Sequence, residues 1–175
     1  NKYFDHKKLL YGTSTRPARK TYKPGGTMMM TVMDNTSLVT EMTRDRMGRW
    51  VATRYQGSTP QKVTIITAYQ VCQTQRTGTN TAASHQINMI LEESIAAGLI
   101  TRLNPREAFT RDLIAFVQQR QIEGDHILIM GDFNETVDGV NSGTGQIMDA
   151  CGLVDLCGQK LGTITHPITY KRGNR

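Results

Sequence analysis

The chain has 175 residues, enough for one domain with a sizeable core, and no apolar run in it approaches the length of a membrane span. Its net charge of +6 and pI near 9.4 suit a polyanionic partner, although a phosphorylated lipid headgroup would welcome the same charge as DNA. The 3 cysteines (Cys72, Cys151, Cys157) form no CxxC pair and no even framework, so they read as free or buried thiols in a reducing compartment rather than a disulfide scaffold. His6, His85, His126 and His166 are scattered without metal-ligand spacing.

In chain order, residues 1–26 are polar and read as loop. Met28-Met29-Met30-Thr31-Val32 reads as a strand whose methionines pack in a core. Leu38 to Thr43 and Trp50 to Tyr55 alternate apolar and polar residues, as half-buried strands do, with Met47-Gly48-Arg49 marking the turn between them. A further strand runs from Val63 to Ala68 after the Gly57-Ser58-Thr59-Pro60 break, and such closely spaced strands predict antiparallel pairing. Ala82 to Ala97 carries Ile87, Ile90, Leu91 and Ile95 at helical spacing, and Gly98 stops it. A second helix begins at Asn104-Pro105-Arg106-Glu107, a cap and box-like start. Phe109, Leu113, Phe116 and Val117 supply its packing face.

Ile127-Leu128-Ile129-Met130 then reads as a fully buried strand, and Gly131-Asp132-Phe133-Asn134-Glu135 follows it directly. If the backbone stays extended, Asp132 and Asn134 point the same way. Such a pair suits phosphate chemistry, with the acid orienting water and the amide donating to a phosphoryl oxygen; a simple turn is the alternative. Gly139 to Gly145 reads as a small-residue loop beside this position.

The stretch Ile129-Met130-Gly131-Asp132-Phe133-Asn134 resembles the "GDFN" signature of the endonuclease/exonuclease/phosphatase family. Four other elements resemble that family in the same order: Gly25-Gly26 with the strand after it, Lys62 to Tyr69, Cys151-Gly152-Leu153-Val154-Asp155-Leu156, and Thr169-Tyr170-Lys171-Arg172. The resemblance implies an α/β fold of the DNase I-like kind, a four-layer α/β sandwich of two mostly antiparallel sheets flanked by helices. It implies metal-dependent phosphodiester hydrolysis with Mg2+ or Mn2+, with Asp132, Asn134 and Tyr69 catalytic, Asp132 and Asn134 also toward the metal, and Thr169, Tyr170 and Arg172 toward substrate. Asp138 is a weaker candidate for a second ion, and Asp155 reads as turn or core edge.

The family's opening Asn and Glu strands and its closing Ser-Asp-His lie outside this chain, so residues 1–175 are expected to be one incomplete domain, truncated at both ends, aggregation-prone and inactive alone. The basic balance and the Thr-Tyr-x-Arg element resemble the endonuclease domain of a non-LTR retrotransposon. The expected partners are then DNA and a reverse transcriptase domain in the same polyprotein, without a membrane, in the nucleus. Arg19, Lys20, Arg44, Arg46, Lys171 and Arg172 are the expected DNA contacts. A phosphoinositide or sphingomyelin phosphodiesterase, or a catalytically dead nucleic-acid-binding remnant, are the alternatives.

Overall fold

The computed structural model describes residues 7–13, 24–73, 80–98, 104–137, 139 and 141–162. Thr169, Tyr170, Arg172 and Asp138 lie outside the described residues, as do Arg19, Lys20 and Lys171.

Two sheets and a helical layer make up the described fold, in the mixed α/β class that the sequence predicts. Strands β1 (Lys7–Gly12) and β2 (Thr27–Val32) pair antiparallel, with Leu9 opposite Met30 and Tyr11 opposite Met28. The larger sheet has the order β3 (Val39–Arg44), β4 (Trp50–Gln56), β5 (Lys62–Tyr69), β6 (Asp125–Asp132). Its first three strands are antiparallel neighbours; β6 returns parallel to β5 after helices α1 (Ala82–Ala96) and α2 (Pro105–Ile122). Such a crossover is what a parallel pair requires. Two short helices follow, α3 (Gly143–Cys151) and α4 (Leu156–Leu161).

The small sheet lies against β3, β4 and β5 on one face, and α2 covers the other. Gly12 shows how close the sheets come, because a Cβ there would sit 2.9 Å from Val51 Cγ1. Trp50, Ala52, Ile66 and Ala68 meet Phe109, Leu113 and Val117 of α2, joined by Ile147 and Cys151 of α3. A second cluster of Met47, Met89, Ile90 and Ala108 seats α1 against α2 and the turn before β4.

Residues 7–12 form a strand, not a loop; Lys7–Gly12 acquires its partner only through pairing with β2. Trp50 to Thr53 does not alternate but is buried throughout, since elements pack on both faces of β4. Conversely β6 is half-buried, because it is the last strand of the described sheet. Met28 and Met30 face outward, and only Met29 of the triplet turns toward the larger sheet. Helix α1 buries His85, Gln86, Met89 and Ile90, leaving Ile87, Leu91 and Ile95 exposed. Asn104 does cap α2, accepting from Arg106 N at 3.0 Å, with no reciprocal Glu107 box. Residues 143–145 are the first turn of α3 rather than a loop, and Ser142 caps it.

The far end of the large sheet is held by ion pairs. Asp125, whose side chain is fully buried, accepts from Arg54 at 2.5 Å and from Thr64 Oγ1 at 2.7 Å. Burial opposes its ionisation, yet the Arg54 and Thr64 hydrogen bonds outweigh that cost and hold its carboxyl below the usual range. Arg120 hydrogen-bonds Glu41 on β3; with Thr43 and the Arg54 charge assisting, it outweighs burial and keeps Glu41 at about 2. Removing Asp125 leaves Arg54, itself mostly buried, with two weaker partners. Asp125→Ala should therefore cost about 3–5 kcal/mol, read as a lower urea midpoint. A midpoint within error of the parent would show that Glu41 and Glu123 suffice.

Candidate active site at the ends of β5 and β6

In open α/β sheets, ligands bind beyond the carboxyl ends of parallel strands, and β5 and β6 form the one parallel pair of the described sheet. Strands β5 and β6 end there side by side, with Tyr69 directly opposite Asp132 in the parallel register. Opposed residues share a face of the sheet, so the phenol and the carboxylate emerge together, on the face turned toward the small sheet. Gly25 closes that side: a Cβ on it would lie 2.8 Å from Ala82 Cβ and 3.8 Å from Tyr69 Cε1.

Gly131 explains why the motif opens with glycine. Its φ is 154°, and a Cβ would lie 1.9 Å from the Ala68 carbonyl oxygen on β5. Only a residue without a side chain lets β6 approach β5 this closely.

Beyond Asp132 the chain does not stay extended, which corrects the expectation of two parallel side chains. Asn134 has φ 51°, a left-handed turn that Asn tolerates better than most residues. Its backbone N–H donates to Asp132 Oδ1 at 3.1 Å, and its side-chain Nδ2 donates to the Gln70 carbonyl at 2.7 Å. Gln70 N donates in turn to the Asp132 carbonyl at 2.9 Å. Asn134 thus ties the two strand ends together, with one amide hydrogen left over among the described residues. Its Oδ1 accepts from the exposed Cys72 thiol at 3.0 Å.

Tyr69 is half-buried. Burial first, then the charges that Cys72 and Asp132 carry when ionised, push its phenol above the usual range. At neutral pH it is an O–H donor beside the exposed Asp132 side chain.

Three participants in this site had no marked place in the sequence. Glu135 accepts from Thr144 N at 2.5 Å and Thr144 Oγ1 at 2.7 Å, at the start of α3, and pairs with Arg106. Burial works against its ionisation, but the Thr144 bonds and the Arg106 charge prevail, so its carboxyl stays below the usual range. Gln70 is buried, and its Oε1 has no hydrogen-bond partner among the described residues. Nothing local in the sequence marks Arg106 or Gln70; Glu135 could have been suspected from its place beside the motif.

The described residues do not by themselves make a metal centre. No group of 3 or more His, Cys, Asp or Glu converges among them. At the strand ends, Asp132 has no ion-pair partner among the described residues, and Asn134 Oδ1 already has a donor. Magnesium asks for near-octahedral oxygen coordination.

The arginines of β3, β4 and the turn between them are mostly committed to acids. Arg49 is buried between Asp45 and Asp112, and Arg54 is spent on Asp125 and Glu123. Arg46 pairs with Glu93 on the surface. Arg44 is exposed with no ion-pair partner among the described residues. The Asp155 side chain caps α4, accepting from Cys157 N, in keeping with its expected turn role.

No protein-family model matches the chain, and no curated protein matches it. Among solved structures it is similar to the crystal structure of beta toxin 275-280 from Staphylococcus aureus, at 11% identity and a TM-score of 0.47. The match covers 87% of this chain and 51% of that one, so the chain spans about half the length of that structure.

Proposed function

We propose that this chain carries part of a phosphodiester-hydrolysing site of the endonuclease/exonuclease/phosphatase type, acting on DNA as the nuclease portion of a retroelement protein. The observation that carries the reading is the pairing of Tyr69 with Asp132 at the carboxyl ends of neighbouring parallel strands, with Asn134 locked beside them. The five ordered sequence resemblances point the same way.

The chemistry assigned to each group follows from its state. Asp132, exposed and acceptor-only when ionised, orients a water and takes its proton as the water attacks phosphorus; the ester P–O bond opposite the water breaks, and the leaving oxygen takes a proton from solvent. Charge grows on the nonbridging oxygens, where the Tyr69 hydroxyl and the spare Asn134 amide hydrogen can donate. The hydrogen bonds on Asn134 fix its amide before substrate arrives, so little reorganisation accompanies the step. The resemblance implies magnesium or manganese, and a nicking assay run with and without a chelator addresses that separately.

Tyr69→Phe removes one donor and little volume, so in the full-length protein it should lower kcat about 10²–10³-fold while KM changes little. A rise in KM alone would make Tyr69 a binding contact. DNA affinity should fall steeply with salt, as phosphate contacts release counterions. Salt-independent binding would favour an uncharged or lipid substrate instead.

A further inference from the structure

We propose that Arg106 is a positioning residue for this site, its one guanidinium clamping the loop after β5 to the loop after β6. The proposal deepens the hydrolytic reading above and rests on it. Nη1 of Arg106 donates to the Val71 carbonyl at 2.6 Å, and Nη2 bonds the Glu135 carboxylate. Val71 lies two residues beyond Tyr69, and Glu135 directly follows Asn134. The same guanidinium therefore touches both segments that carry the candidate catalytic groups.

The clamp has firm footing on each side. Arg106 sits in the first turn of α2, where its backbone N–H donates to the Asn104 cap at 3.0 Å, and the buried Ala108 and Phe109 follow at once. Val71 is 4% exposed. Glu135 is pinned from its other oxygen by Thr144 at the head of α3. Four elements thus converge on one ion pair, each side chain of which is mostly buried (14% and 16% exposed).

The bonds from Gln70 N to the Asp132 carbonyl, from Asn134 Nδ2 to the Gln70 carbonyl and from the Cys72 thiol to Asn134 Oδ1 join the two loops only to each other. Arg106 adds what they lack: it ties both loops, at Val71 and at Glu135, to the start of α2. Catalytic groups must be held within about 0.5 Å of their working positions, and side chains behind them do that holding. Arginine suits the place because its planar fork reaches two acceptors in fixed directions, whereas a lysine ammonium is a single point.

The test uses the full-length protein and its Arg106→Met, Arg106→Lys and Glu135→Gln variants. Steady-state plasmid nicking and backbone hydrogen exchange are measured for each. Arg106→Met should lower kcat about 10²-fold with KM little changed, since small misplacements act on the transition state. Arg106→Lys should recover part of that loss, and Glu135→Gln should fall between, keeping its Thr144 bonds but losing the charge. Exchange should rise at residues 70–73 and 133–137 and stay level in β4. Unchanged kcat in a folded Arg106→Met protein would overturn the proposal, as would a loss that only follows a uniform rise in exchange. A parent protein with no nicking activity would defeat the DNA-cutting reading on which the proposal rests; level exchange at 70–73 and 133–137 in Arg106→Met would defeat the clamp independently.

Discussion

Asp132→Asn in the full-length protein will lower the rate of DNA nicking by about 10²–10⁴-fold, the usual contribution of a positioned general base. The substitution is nearly isosteric, and Asp132 is exposed at the strand end with one oxygen engaged, by the Asn134 N–H. An asparagine oxygen can accept that bond, so the turn survives and the fold with it. What disappears is the capacity to take a proton from water. DNA affinity should change little, because removing a negative charge from a site that binds a polyanion does not weaken long-range attraction. Nicking close to the parental rate would remove Asp132 from the mechanism.

The largest effect on stability is expected at Gly131. In Gly131→Ala the new methyl would lie 1.9 Å from the Ala68 oxygen and 2.7 Å from its carbon, both backbone atoms of the adjacent strand. No rotamer change relieves such a clash, so β6 must move away from β5 and the Tyr69–Asp132 register is lost with it. A loss of about 4 kcal/mol or more is expected, in the range that marks a specific structural failure. Gly124→Ala is the control: its φ is 84°, but nothing lies within 4 Å of its Cβ. That change should cost only the left-handed backbone penalty of about 1–2 kcal/mol. If urea denaturation found Gly131→Ala no worse than Gly124→Ala, the close approach of the strands would be wrong.

Features that live in a few consecutive residues were legible in the sequence. The Asn104-Pro105 start of α2, its Phe109/Leu113/Val117 face and the position of the strand running into Asp132 appear as read, since caps and periodicity are local, although that strand is half-buried rather than fully buried. Tyr69 and Asp132 were marked by resemblance, and the register of β5 on β6 brings them together. Long-range pairing left no such trace. Arg54 and Asp125 are 71 positions apart and Arg106 and Glu135 are 29 apart, so an arginine destined for burial looks like any surface arginine. Arg44 and Arg46 are expected DNA contacts, yet Arg49 and Arg54 in the same stretch neutralise buried acids. Periodicity likewise reveals an apolar stripe without saying what covers it. Ile87, Leu91 and Ile95 have core-like spacing, yet α1 meets its neighbours through Met89 and Ile90. Strand β1 was missed because a short segment gains strand character only from its partner.

The most direct test of the account is a substrate comparison with the full-length protein and its Asp132→Asn variant. Supercoiled plasmid, phosphoinositide vesicles and sphingomyelin vesicles are each incubated with both proteins in the presence of magnesium. The parent should convert supercoiled to nicked plasmid, Asp132→Asn should convert almost none, and neither protein should release phosphate or phosphocholine from the vesicles. Phosphate or phosphocholine release without nicking, or nicking that Asp132→Asn leaves intact, would contradict this expectation.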